Sequence, residues 1–342
     1  MASEQLKVID EERLSAYLAQ RLAVGADLQI ERQMAGHSNI TFLLRSGENE
    51  WILRRPPLGP LPPTAHDVLR EYRVLGALER ANVRTPRTVL ACSDESIIGA
   101  PFYLMERVQG SVIRDRLPAE IDLPESRRRI GEELVDALIE LHCVDWNGVG
   151  LGDLGKPSGY LERQLKRWLG QWEHNRTRAI PALEEIGSWL ANGLPESPPA
   201  TLVHGDYKLD NVSFSNQLPA TLVGIFDWEM ATVGDPLADV GYMVALWFEP
   251  EDPEEALLGL MPITCEPGFI SRSELIDRYE EGSGRRMTNI RFYQVLALWK
   301  LAILLEGSYK RFLAGATDDP FFERLATGVP LLAKWAWRVA RS

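Results

Sequence analysis

Three oxygen-bearing side chains, Asp206, Asn211 and Asp227, fall within the stretch LVHGDYKLDNVSFSNQLPATLVGIFDWEMATVGDPLADV, residues 202–240. An amide and a carboxylate can hold a divalent cation through oxygen, leaving a second carboxylate free to meet a substrate hydroxyl. Magnesium suits such ligands, because it takes one or two carboxylates and fills its other positions with phosphate oxygens and water. That donor set serves phosphoryl transfer, where the protein mainly positions reactants and neutralises charge. Taken singly, Asp-x-x-x-x-Asn is ordinary loop chemistry, since both residues cap turns. The weight lies on the combination with His204, Gly205 and a hairpin that leads to Asp227.

The hairpin follows from local pattern. VSF (212–214) and TLVGIF (221–226) are strand-like, and SNQLPA between them is rich in turn formers. Antiparallel pairing starts the first strand at Asn211 and ends the second at Asp227, with Asp206 one tight loop earlier. Ahead of this region, NITFLLRSG (39–47) and EWILRRP (50–56) form a hairpin, and VLREYRVLGALER forms an amphipathic helix ending near Asn82. A third strong strand is PFYLMERV (101–108). Helical pattern then dominates, over 125–143, 158–176, 180–192, 235–249, 271–282 and 290–314. The expected fold class is α+β and bilobal, with a small β-rich N-lobe (1–106) that binds nucleotide and a larger helical C-lobe (107–342) that holds the catalytic loop and acceptor pocket. Nucleotide clefts are commonly built where such lobes meet.

Bulk composition narrows the partners. The chain has 342 residues, 45% hydrophobic and 25% charged, enough for two cores, and a net charge of -12 that argues against nucleic acid. Three distant cysteines indicate neither a disulfide framework nor a Cys-x-x-Cys metal site, and a reducing cytoplasm is the expected compartment. The five histidines show no zinc spacing. MASEQLKVIDEERLSAYLAQRL is too acidic for a secretory signal and reads as a surface helix. The most membrane-like run, FYQVLALWKLAILL (292–305), carries Gln294 and Lys300 and is shorter than the ~20 residues a bilayer needs, so a buried helix and no membrane are expected.

His204-Gly205-Asp206-x-x-x-x-Asn211 followed by Asp227 resembles the catalytic loop and metal segment of kinases, and His-Gly-Asp is similar to the aminoglycoside phosphotransferase family of small-molecule kinases. The resemblance covers nearly the whole chain. PGFISRSELIDRYEEGSGRRMTNIRFYQVLALWKLAILLEGSYKRFLAG resembles the branch whose kinase modules are fused to acyl-CoA dehydrogenases in animals. The resemblance implies a protein-kinase-like fold and the cofactors ATP and Mg2+. It implies that Asp206 orients and finally deprotonates the acceptor hydroxyl, while Asn211 and Asp227 hold magnesium. Arg54 stands where the family has a basic residue reaching the phosphates, with Glu71 as its partner. Arg replaces the common lysine, which leaves Arg55 open as the contact and a plain surface ion pair open for Arg54 with Glu71. AGHSN (35–39) takes the phosphate-loop position, with Ser38 and Asn39 near phosphate, and Glu106 and Val108 resemble hinge residues whose backbone reads adenine. His204 steadies the loop, and Asp239 is expected to be buried, accepting backbone N–H groups from it. Lys208 has two equal readings, neutralising the transferred phosphoryl or lying solvated.

The leading function is an ATP-dependent kinase acting on a small-molecule hydroxyl, with a hydroxyacyl-CoA implied by the fused branch. An anionic CoA thioester needs local cations, and Arg272, Arg285, Arg286 and Arg291, set among several acids, have two equal readings, meeting it or lying solvated. An aminoglycoside or other small alcohol is the alternative acceptor. A non-catalytic nucleotide-binding module is a second class, but it predicts loss of one of Asp206, Asn211 and Asp227. A protein kinase is disfavoured: there is no Gly-rich loop, Asp227-Trp228-Glu229 replaces Asp-Phe-Gly, and no Ala-Pro-Glu segment follows. The residues leave ATP against GTP, and the oligomeric state, open.

Overall fold

The computed structural model describes residues 9–22, 24–25, 27–33, 39–57, 67–252, 262–315 and 321–342. It divides into two compact units, Met1–Gln109 with Gly224–Glu229, and Gly110–Val223 with Met230–Ser342.

The first unit is built on a five-stranded antiparallel sheet of order β1-β2-β3-β5-β4. Its strands are β1 Gln29–Gln33, β2 Ile40–Ser46, β3 Asn49–Arg55, β4 Thr88–Cys92 and β5 Phe102–Glu106. Ser46 pairs with Asn49 around a Gly47-Glu48 turn, so the expected hairpin is present. Side chains alternate across a strand, and this sorts β3 onto two faces. Trp51 and Leu53 join Phe42, Leu44, Phe102 and Leu104 in one apolar core, which also takes Leu14 and Leu18 of helix α1 (Glu11–Ala19). The opposite face carries Arg54 and Tyr103, paired across β3 and β5, and meets helix α2 (Val68–Arg80), whose Tyr72 ring lies 5.8 Å from that of Tyr103.

The described part of the N-terminal helix is the surface element expected, with Glu11, Glu12, Arg13 and Ala19 exposed and only Leu14 and Leu18 fully buried against the sheet. The sheet has two strands more than the sequence pattern marked. β1 (QIERQ) is an edge strand with four polar residues in five, and β4 (TVLAC) is short and carries a register shift, so neither offers clean alternation.

The second unit is helical: α3 Pro124–His142, α4 Tyr160–Asn175, α5 Pro181–Asn192, α6 Leu237–Ala245, α7 Arg272–Ser283, α8 Ile290–Leu313 and α9 Leu325–Arg341. The last was not anticipated. α8 is its axis, packed against α4, α5, α6 and α9, and is buried around most of its circumference, which explains an apolar run with no clear stripe. Two small sheets interrupt the helices. β6 (Thr201–Val203) pairs antiparallel with β9 (Thr232–Gly234), and β7 (Val212–Phe214) pairs with β8 (Leu222–Ile225). Among the described residues no helix is long and apolar enough to cross a membrane.

Candidate active site

The loop after β6 is tied down by a single buried carboxylate. Asp239, in the first turn of α6 and 1% exposed, accepts the backbone N–H of His204 at 2.6 Å and of Gly205 at 2.8 Å. His142 stands 3.4 Å from the same carboxylate through Nε2 and 2.7 Å from the Tyr279 hydroxyl through Nδ1. Burial pushes the His142 pKa down, so the ring is neutral. A carboxylate only accepts, which places the proton on Nε2 and lets Nδ1 accept from Tyr279. Burial raises the Asp239 carboxyl, but His142 and the loop around His204 outweigh it and hold it below its ordinary value. Gly205 is required where it stands: its φ of +85° is left-handed, and a Cβ there would come within 2.9 Å of the Met230 carbonyl.

The fixed loop presents Asp206. Its backbone N–H donates to His204 Nδ1 at 3.2 Å, so the buried histidine braces the turn. The Asn211 amide nitrogen donates to the Asp206 carbonyl at 2.8 Å and to its Oδ2 at 2.7 Å. Asn211 ends a short 3-10 turn, Leu209–Asn211, one residue before β7 rather than opening that strand. Both amide hydrogens are thereby turned toward Asp206, and Oδ1 takes part in no hydrogen bond among the described residues. Lys208 Nζ lies 3.3 Å from Asp206 Oδ2 with its side chain 23% exposed, so it is an ion-pair partner and not a freely solvated cation. Burial raises the Asp206 carboxyl, but Lys208, a hydrogen bond from Tyr242, His204 and Asn211 together hold it below the ordinary carboxylate value. Tyr242 had no signal in the motif, because it comes from α6, well after it.

In the first unit, Arg54 Nη1 donates to Glu71 Oε1, and Arg54 Nη2 stands 3.5 Å from Asp227 Oδ1. Side-chain exposures of 10% for Arg54 and 1% for Glu71 exclude the surface-pair reading. Burial alone would lower the Arg54 pKa, but Glu71, Tyr103 and Asp227 raise it, so the guanidinium stays charged. Arg55 turns to the other face of β3, where Nη1 donates to the Ile98 carbonyl at 2.8 Å. Asp227 adopts a φ of +65°, uncommon for a residue other than glycine, and its Oδ1 is buried with no hydrogen-bond donor among the described residues. The residues after it are held by Arg70 Nη1 donating to the Glu229 carbonyl at 3.1 Å and Trp228 Nε1 to the Ile225 carbonyl at 3.0 Å.

The remaining expected residues spread through this unit. Asn39 is buried at the start of β2, and Ser38 lies outside the described residues. Glu106 ends β5, exposed, with its N–H donated to the Arg87 carbonyl at 2.9 Å, so a hinge role would fall to its carbonyl and to the backbone of Val108. Among the described residues no group of three or more His, Cys, Asp or Glu side chains is arranged to hold a metal. The amide oxygen of Asn211 and the undonated Oδ1 of Asp227 are, however, hard oxygen donors of the kind magnesium takes alongside phosphate and water.

A sequence model of the phosphotransferase enzyme family matches residues 30–260, and the chain belongs to that family. It is 35% identical over 338 residues to acyl-CoA dehydrogenase family member 11 of Rattus norvegicus, covering 96% of this chain and 43% of that protein. The chain thus spans about two fifths of the length of that relative. The crystal structure of a Ralstonia eutropha protein, described as a candidate aminoglycoside phosphotransferase, matches with a TM-score of 0.81 and 31% identity over 97% of this chain and 98% of that one. Aminoglycoside 2'-phosphotransferase-IIIa, solved as a GDP complex, shares the fold with a TM-score of 0.62 at 16% identity, covering 96% and 99% of the two chains. The α+β kinase-like fold class and the family resemblance are therefore those expected from the sequence.

Proposed function

We propose that this chain is an ATP- and Mg2+-dependent small-molecule kinase that transfers the γ-phosphoryl group to an acceptor hydroxyl, and that the acceptor is a hydroxyacyl-CoA. The observation that carries the reading is the ionised Asp206 carboxylate, presented by a loop that Asp239 ties down and oriented by Asn211 at 2.7 Å. A carboxylate held below its ordinary pKa is a weak base, so its work is to orient the hydroxyl and to take the proton late. The hydroxyl oxygen bonds to the γ-phosphorus, the bond to the bridging oxygen breaks, ADP departs, and the proton passes to Asp206. Lys208 neutralises charge on the transferred group. In this reading Arg54, kept charged by Glu71, reaches the nucleotide phosphates, Asn39 and Ser38 border them, and Glu106 and Val108 meet the base. Asn211 Oδ1 and the Asp227 carboxylate would hold magnesium, which when bound screens the phosphate oxygens.

Support for a CoA thioester comes from the acyl-CoA dehydrogenase relatives, since the acceptor would then be an intermediate of the whole protein's chemistry. Of the arginines considered for its phosphates, Arg272 is taken by Glu249 and Asp252, and Arg285 leans on the His142 carbonyl at 3.4 Å. Arg286 and Arg291 are the exposed cations left for that role. An aminoglycoside is the second acceptor class, favoured by the Ralstonia structure's description. A small-molecule kinase of this kind fits the cytoplasm, where ATP is held. The test is Asp206→Asn: nucleotide binding should persist while transfer to every acceptor collapses, and a variant with full turnover would remove Asp206 from its role.

A further inference from the structure

Lys300 is a titratable group that this mechanism leaves unused. It projects from α8 and is 7% exposed. Its Nζ lies 5.5 Å from the ring centroid of Trp168 on α4 and 5.7 Å from that of Tyr242 on α6. Among the described residues it donates no hydrogen bond and forms no ion pair. Tyr242 is the residue that hydrogen-bonds Asp206, and Lys208 Nζ also lies 5.9 Å from its ring. The second unit therefore carries an ammonium on a largely buried side chain next to the residues that surround its proposed base.

Lys300 is buried along its stem, but its Nζ is not among the fully buried nitrogens that lack a partner, so the ammonium keeps an opening through which its donors can be met, while two aromatic faces replace part of its hydration. The arrangement is completed by an oxygen that accepts from Nζ. Two ammonium groups, Lys300 and Lys208, already stand against the Tyr242 ring, so a further cation brought there by the acceptor would be repelled. An ammonium held between two aromatic rings with its donors open to the site selects for electron-rich oxygen.

We propose that Lys300, flanked by Trp168 and Tyr242, recognises the acceptor: it donates to a carbonyl or carboxylate oxygen a few atoms from the reacting hydroxyl and rejects acceptors with an ammonium at that place. The proposal rests on the kinase reading and deepens it, since it assigns the charge type of the acceptor from residues outside the motif.

The experiment compares the wild-type chain with Lys300→Met and Lys300→Arg on four acceptors of matched length: 4-hydroxybutyryl-CoA, 4-hydroxybutyrate, 1,4-butanediol and 4-aminobutanol. The wild type should favour the thioester or the carboxylate over the diol, and which of the two wins identifies the oxygen. Lys300→Met should raise the KM for the favoured acceptor about ten- to hundredfold, the range of a hydrogen bond to a charged group, with the KM for ATP unmoved. Lys300→Arg should keep part of the preference, and Lys300→Met should narrow the gap between 4-aminobutanol and the diol. An unchanged acceptor KM in a folded Lys300→Met chain, or a wild type that prefers 4-aminobutanol, overturns the proposal. Should the wild type bind ATP yet phosphorylate none of the four, the kinase reading for these acceptors fails. Calorimetric titration with 4-hydroxybutyryl-CoA and 4-hydroxybutyrate then decides Lys300 separately: binding by the wild type and not by Lys300→Met supports it, and equal binding or none refutes it.

Discussion

Replacing Asp239 with Asn should loosen the loop that presents Asp206 without changing its shape or bulk. The wild-type carboxylate takes two backbone N–H groups, at 2.6 and 2.8 Å, in a place that water does not reach. Asn keeps one carbonyl oxygen and turns an amide N–H2 toward the second donor. One charge-assisted bond, of about 1.5–3 kcal/mol, is lost, and the orphaned buried N–H adds a desolvation cost of about 1–3 kcal/mol. A loss of ~3 kcal/mol is large against the 5–15 kcal/mol typical of folded domains, so a fall in Tm is expected as well. In amide hydrogen exchange it corresponds to at least about hundredfold faster exchange for His204 and Gly205 if they open locally. Exchange read on a peptide spanning residues 202–209, beside a ligand-free melting curve, makes the measurement. Turnover should fall more than ATP affinity, because the loop carries the proposed base, Asp206. The pH dependence has a definite sign. Asp239 titrates below its ordinary value when folded, so its contribution is present above the unfolded carboxylate pKa and is lost as pH falls through the folded one. The gap between wild type and variant should thus hold at neutral pH and close only in acid. Exchange at His204 and Gly205 within threefold of wild type, with an unchanged Tm, would refute the reasoning.

Other expectations follow from the same geometry. Asp227→Ala should raise the magnesium concentration needed for half-maximal transfer, and superimposable magnesium titrations would remove Asp227 from the metal. Arg54→Ala should weaken ATP binding more than Arg55→Ala, since Arg54 faces Glu71 and Asp227 while Arg55 faces the Ile98 carbonyl on the other side of β3; the reverse order in a nucleotide-binding assay would transfer the role. Lys300 is pulled down to about 8 by burial, with Asp239 and Asp206 raising it and Arg167 lowering it, and with Lys208 across the Tyr242 ring. Its folded pKa lies below the unfolded one, so the unfolded chain binds the extra proton between them and stability rises with pH across that window. Lys300→Met should therefore be the more stable chain at pH 7, by ~3 kcal/mol at most, with the advantage shrinking as pH climbs above about 8. Parallel melting curves from pH 7 to beyond pH 9 check this, and a constant difference would contradict it.

What was legible in the sequence is whatever short-range order decides. The spacing from Asp206 to Asn211, the hairpin that follows and the helical periods of α3 to α8 are local, because a turn, a strand alternation or an apolar stripe is completed within a few residues. Alternation also separated Arg54 from Arg55, but only the tertiary structure showed which face meets α2 and that the resulting pair is buried. The strands β1 and β4 were not legible: one is polar and lies at an edge, the other is short and irregular, and both exist because neighbouring strands satisfy their backbone groups. The left-handed backbone of Asp227 is of the same kind, being imposed by surroundings that no residue type announces. Lys300 stood in plain view within FYQVLALWKLAILL, where it counted against a membrane span. A lysine in an apolar helix can be a solvated end or a buried charge, and the pattern is the same for both. Packing of α8 against α4 and α6 decided it, bringing Trp168 and Tyr242, remote in the chain, onto one ammonium beside Asp206.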